Sequence, residues 1–298
     1  DNADFKSKKT GVDYSHISLT YFNTQLKDIQ FIPKGMNCNI ESMKFFEKSG
    51  FQVDELMTFF NISPKGIMTE NLKIETPNSK ISGNVLFLTN EYSDLSNFIK
   101  NVSIKSYFDS TLVSFKDICH FAPTLDCLNK SFTFNGEVKG SIANLKGKNL
   151  NIEIDDGTKF IGSANISGLP SPEDMFMHIN VKKLLTSKES LEQLPLYPFT
   201  RETFVKLPNN FTHLGKVLFK GSFTGFYHDF VAYGAFNTQL GNIKTDVAVK
   251  IKNDQTSYRG KVKTNHFKLG EFLGIPEELD EVTMNVEIDG KGFSQEDL

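Results

Sequence analysis

An alternation of apolar and polar residues with a period of two limits most sharply what this chain can fold into. Ile17, Leu19 and Tyr21 alternate with His16, Ser18 and Thr20, and Leu72 and Ile74 with Asn71, Lys73 and Glu75. Leu150, Ile152 and Ile154 alternate with Asn149, Asn151, Glu153 and Asp155. Val247, Val249 and Ile251 do so with Asp246, Lys250 and Lys252, and Val282, Met284, Val286 and Ile288 with Thr283, Asn285, Glu287 and Asp289. Successive side chains on a strand point to opposite faces, so the pattern marks strands with one apolar and one solvated face. Parallel strands buried on both faces would be apolar almost throughout. The expected class is all-β, built on a one-sided antiparallel sheet.

Turn chemistry falls between these runs. Asp155-Asp156-Gly157 suits a tight hairpin, because Asp and Gly tolerate the positive φ such turns need. Thr76-Pro77-Asn78-Ser79, Lys252-Asn253-Asp254-Gln255 and Lys48-Ser49-Gly50 read as turns for related reasons. The helices are expected to be few and short: Asp94 to Lys100 with Asp94 as N-cap, Ser114 to Phe121, Ser187 to Gln193 with a serine cap, and Leu269 to Leu273. Such pieces are too short to stand alone and are expected to plug a sheet face or an end. A weak repeat runs through the strands, Phe134-Asn135-Gly136-Glu137-Val138-Lys139-Gly140 returning as Phe219-Lys220-Gly221-Ser222-Phe223-Thr224-Gly225. Glycines inside strands are read as bulges or sharp bends that would curve a long meander.

The 298 residues allow one large domain or two ordinary ones. No linker forces a split. Residues 1–12 read as a disordered or linker segment, and 13–298 as the body, with candidate sub-units 13–130 and 131–298. The sequence reads as a piece of something longer, or as a processed product. Lys plus Arg number 33 against 36 Asp plus Glu, a net charge of −3, which argues against a nucleic-acid binder relying on a basic field. With 39% hydrophobic residues and 28 Phe, the chain is not disordered, and no window approaches the ~18 consecutive apolar residues of a membrane span.

Catalytic signatures are absent: no nucleophile elbow, phosphate loop, H-E-x-x-H or EF-hand loop occurs. Asp155-Asp156 could be written as paired acids but sits where a hairpin expects Asp. The six histidines are dispersed. Cys38, Cys119 and Cys127 cannot all pair with one another, and Cys119-His120 with Cys127 forms only a loose cluster, short of the four ligands of a structural zinc site. These are read as buried thiols with room for one local disulfide. No enzyme activity, cofactor or metal is expected.

Three stretches resemble the AsmA-like superfamily, and within it the TamB-type (translocation and assembly module) proteins of Bacteroidota-like bacteria. They are Glu47-Lys48-Ser49-Gly50-Phe51-Gln52-Val53-Asp54-Glu55-Leu56, then Phe134 to Leu150 leading through Gly162 into Ile166-Ser167-Gly168-Leu169-Pro170, and Phe219 to Phe226 through Ala235-Phe236-Asn237-Thr238-Gln239-Leu240-Gly241 to Phe267-Lys268-Leu269-Gly270. The resemblance spans nearly the whole chain from about Tyr14 and has the character of an internal segment. It implies an elongated, curved, taco-like β-groove in the periplasm, tied to the inner membrane in full-length relatives and bridging to the outer membrane. Phospholipid would be the cargo, its acyl chains held in the groove. The alternative client is outer-membrane protein, assembled with a partner barrel of the Omp85 class. On this reading the groove is lined by Ile17, Leu19, Leu72, Ile74, Val85, Phe87, Phe132, Phe134, Leu150, Ile152, Ile154, Val247, Val249, Ile251, Val282, Met284, Val286 and Ile288. Patterning alone suits a closed sandwich or a solenoid as well, with the apolar face covered by a second layer.

Overall fold

The computed structural model describes residues 11–13, 16–121, 129–169, 171–193, 207–226, 228–252 and 255–292. The fold is all-β: a sixteen-stranded antiparallel sheet that does not close, with a few short helices. By its contacts the chain divides into two compact units between Lys139 and Gly140.

The first unit holds β1 (Leu19–Ile32), β2 (Gly35–Glu47), the two-residue β3 (Gln52–Val53), β4 (Glu55–Ser63), β5 (Gly66–Glu75), β6 (Lys80–Leu88), β7 (Ser103–Ser114) and most of β8 (Ser131–Ser141). The order is β1-β2-β4-β5-β6-β7-β8, a plain meander with β3 beside β2. Two helices lie in its connections. The first, α1 (Phe98–Asn101), follows a 3-10 turn at Tyr92–Asn97; the second, α2 (Phe115–Phe121), follows β7 directly. Asp94 is not the N-cap: Glu91 is, and the Asp94 carboxylate reaches back to accept the Asn90 and Glu91 N–H groups at 2.7 and 3.3 Å. An acid inside the first turn satisfies the same orphan donors from the other direction. The turn at Thr76–Ser79 is tied to α2 through Asp117, which is buried and accepts hydrogen bonds from Thr76 Oγ1 at 2.6 Å, Ser79 Oγ at 2.5 Å and Asn78 Nδ2 at 3.0 Å.

The second unit holds β9 (Asn144–Ile154), β10 (Lys159–Ser167), β11 (Phe176–Thr186), β12 (Val217–Phe226), β13 (Asp229–Thr238), β14 (Gly241–Lys252), β15 (Gln255–Lys268) and β16 (Glu281–Lys291), again in sequential order. Its helices are α3 (Lys188–Glu192) and α4 (Leu269–Leu273), besides 3-10 turns at Pro172–Asp174 and Asn209–Leu214. Ser187 caps α3 as expected, its side chain accepting from the Ser190 N–H. The hairpin at 155–157 also forms, with Gly157 at φ +85° and Asp156 Oδ1 accepting the Thr158 N–H at 2.8 Å. Residues 253 and 254 of the expected turn at 252–255 lie outside the described residues.

Strict alternation breaks at positions that no local pattern marks. Tyr21, Asp28, Asn71, Ser110, Asn149 and His266, none of them glycine, sit inside strands at φ between 48° and 53°. Several coincide with register shifts, such as those flanking Asn71 in β5 and His266 in β15. Each bulge adds a residue to one strand, bends it and flips the facing pattern. The cost of a left-handed residue is offset by a reach across the ladder. Asn71 donates its N–H to Asn84 Oδ1 at 2.8 Å, Ser110 to Asn135 Oδ1 at 2.5 Å, and His266 to Thr283 Oγ1 at 3.1 Å. Asn84→Ala is expected to lower stability by about 1 kcal/mol, the worth of one such bond, measured by urea unfolding.

The reading of strand glycines as bulges holds in part: register shifts fall at Gly83 and at Gly162, while other glycines have a different role. In β12–β13 the pairing is regular and Gly221 faces Gly234 with no register shift, although on its other side Gly221 adjoins the bulge of β11 between Val181 and Leu184. Both make room for the ring of Phe219: an added Cβ would stand 2.7 Å from its Cζ at Gly221 and 2.7 Å from its Cε2 at Gly234. The same arrangement recurs with Phe160 over Gly162 and Tyr258 over Gly290. Aromatic rings laid over cross-strand glycines restore the packing that glycine forfeits.

Candidate functional site

In the first unit, cross-strand register gathers one set of side chains on one face. Leu26 of β1 stands opposite Ile40 of β2, Leu56 of β4 opposite Ile74 of β5, and Ile67 of β5 opposite Phe87 of β6. All of these except Ile67 help to wall a cavity of about 500 Å³ across β1, β2, β4, β5 and β6. Met36, Cys38, Met43, Phe60, Leu72 and Val85 also contribute. Thr58 and Thr69 are the only polar side chains in the wall. Their hydroxyls are turned into the sheet, Thr58 Oγ1 donating to the Glu70 carbonyl at 2.9 Å and Thr69 Oγ1 to the Val85 carbonyl at 3.1 Å. The cavity therefore meets methyls, methylenes, sulfur atoms and the two rings of Phe60 and Phe87, with no charge. Its volume falls in the ~300–1,000 Å³ range of small-molecule sites, which are mostly apolar as well. Cys38 lies in the floor, 2% exposed and free, and burial pushes its thiol pKa up.

Four of the residues expected to line a groove, Leu72, Ile74, Val85 and Phe87, stand in this wall. Further along the unit, the Phe134 ring packs 5.5 Å from that of Phe108, and the Phe132 ring 5.5 Å from that of Phe115 on α2. Ile17 falls before β1, outside any strand and 61% exposed, while Leu19 opens β1 opposite Glu47. The sequence reading missed the β2 and β4 contributions, although Met36, Cys38 and Ile40 alternate with Asn37 and Asn39.

In the second unit, register puts Leu150 and Ile152 opposite Gly162 and Phe160, with Ile154 on the same face of β9. It also puts Val247 between Ala232 and Gly260, Val249 between Phe230 and Tyr258, and Ile251 opposite Thr256. On β16, Val282, Met284, Val286 and Ile288 continue that face. Here Val247, Val249 and Ile251 are only half-buried and Val286 is 37% exposed. Beneath a second sheet they would be buried. Two places are filled by the protein itself. Phe219, 1% exposed, packs against Phe236 and Phe223 at ring distances of 4.6 and 5.1 Å. At one end of the strands, Leu214, Leu240 and Phe267 form a small core with Phe211, Leu269 and Phe272.

Among the described residues no group of three His, Cys, Asp or Glu could hold a metal ion, and no helix is long and apolar enough to cross a membrane. Cys119 is disulfide-bonded, and Cys127 lies outside the described residues. No family model, curated protein or solved structure matches the chain.

Proposed function

We propose that the apolar face of this chain holds the acyl chains of phospholipid, and that the chain serves as a section of a periplasmic lipid conduit contributing to outer-membrane biogenesis. The observation that carries the reading is the cavity of the first unit, whose wall has no charge and whose two hydroxyls are spent on the backbone. Burying a methylene gains ~0.8 kcal/mol, so sealing about ten of them in such a wall gains on the order of 8 kcal/mol, while the head group stays in water. A wall this uniform offers a chain no fixed polar anchor, which favours sliding over tight capture. The disulfide at Cys119 suits an oxidising compartment such as the periplasm. The AsmA-like, TamB-type resemblance points the same way.

The second reading, a scaffold for outer-membrane proteins working with an Omp85-class barrel, draws on β1. This 14-residue strand pairs on one side only among the described residues and leaves Tyr21 and Phe31 85% exposed, as strand addition would require. Mass spectrometry of organic extracts of the purified chain separates the two. Co-purified phospholipid is the expected result. A lipid-free chain that retains extended amphipathic β-peptides would replace the conduit with the scaffold.

Cys38 supplies an internal reporter. Its raised pKa keeps the thiol protonated at neutral pH and therefore slow to alkylate, since the thiolate is the nucleophile. Maleimide labelling of Cys38 is expected to slow further when a long-chain fatty acid is added. An unchanged rate would place the acyl chain elsewhere.

A further inference from the structure

The face of the second unit opposite its apolar side departs from the rule that governs its other charges. Across neighbouring strands basic residues meet acids: Lys250 with Asp229 at 3.0 Å, Lys261 with Glu287 at 3.4 Å, Lys159 with Glu153 at 3.0 Å, and Arg259 with Asp289. One row breaks the pattern. Lys220 stands opposite Ala235, Ala235 opposite Lys244, and Lys244 directly opposite Lys263. At the other end of the row, the bulge between Val181 and Leu184 sets Lys182 and Lys183 against Lys220. None of these five lysines has an acidic partner within 4.0 Å among the described residues, and Asp246 is the one unpaired acid in the adjoining row. Like charges set directly opposite each other on a sheet are destabilising, so the row carries an unmet demand for anions. With strands ~4.8 Å apart, it spans roughly 19 Å from β11 to β15.

The same face carries large apolar side chains in water. Tyr233 is 62% exposed in the row next to the lysines, and Val231, then Phe226 with Phe176, follow along the strands, each about 40% exposed. The Phe176 and Phe226 rings meet edge to face at 5.3 Å. Lysines bordering exposed aromatics on one face are the composition of an interfacial membrane contact, in which the rings sit at head-group depth and the ammonium groups meet lipid phosphates.

We propose that this face docks on the surface of an anionic bilayer, with Lys182, Lys183, Lys220, Lys244 and Lys263 as its electrostatic footprint and Tyr233 as its inserted ring. This surface lies on the opposite side of the second unit's strands from Val247 and Val249 and does not depend on the cavity of the first unit. Lys220, Tyr233, Lys244 and Lys263 border an open hollow of about 390 Å³, and a row of ammonium groups without acidic partners suits a layer of lipid phosphates.

The test is co-sedimentation of the whole chain with phosphatidylcholine vesicles, plain or containing about one-third phosphatidylglycerol. Binding is expected to the anionic vesicles alone and to fall as salt rises. Each lysine near an anionic surface contributes about fivefold, so Lys220→Gln/Lys244→Gln/Lys263→Gln should weaken binding on the order of 100-fold. Lys73→Gln, at an exposed lysine of the other unit opposite Ser82, should leave it unchanged. Equal binding to plain vesicles, or a triple variant that binds like the parent, overturns the proposal. So does failure to bind vesicles while the chain is retained on a poly-glutamate column, which would assign the row to an acidic protein segment.

Discussion

Ile74→Asp should strip phospholipid from the purified chain, cutting lipid per chain roughly tenfold or more, while Lys73→Asp at the next position leaves it intact. Ile74 stands in the cavity wall between Leu56 and Ile81 on the neighbouring strands. A carboxylate there must either stay solvated, which floods the wall, or lose its water against methyl groups at a cost of several kcal/mol. Lys73 is exposed on the opposite face, across from Ser82, where an added charge meets only solvent. Ile74 is half-buried rather than sealed in a core, so the variant should retain its far-UV circular dichroism. Lipid loss from both variants alike, or from neither, would sink the assignment of this face.

The largest stability change is expected from Phe219→Ala. Among the described residues Phe219 is the largest side chain that is fully buried, and it touches two rings and two glycines at once. Glycines at 221 and 234 cannot move side chains into the void, because they have none. The site therefore collapses poorly, and the loss should reach the ~3–5 kcal/mol typical of buried Phe truncations. With a urea slope of ~1–3 kcal/mol/M, the midpoint of the second unit should fall by roughly 2 M. Phe223→Ala, at a half-buried ring nearby, should cost clearly less. Equal costs would mean that the glycine bed has no special role.

Much of the local structure was legible because it is written in neighbouring residues. The alternation around Leu150 and around Val249 set both strand and face, and Ser187 marked the start of α3. Asp94 was placed at the right turn and given the wrong position, since an acid satisfies the first N–H groups from the cap or from inside the turn alike. The bulges at Asn71, Ser110 and His266 were not legible, because their stabilising partners, Asn84, Asn135 and Thr283, lie 13 to 25 residues away. The Phe-x-Gly repeat was visible, but its meaning depended on what lies above each glycine, which is a fact about the facing strand.

The sequence by itself therefore determined an antiparallel all-β chain with one greasy face, because side-chain direction along a strand follows from the backbone alone. It could not say whether that face would be covered. A sandwich and an open sheet demand the same alternation, and they differ only in whether a second layer arrives to exclude water. That was decided by the tertiary structure, where strands pair with one another in sequence, the described residues form no second sheet, and the apolar side of β14 is left half in water.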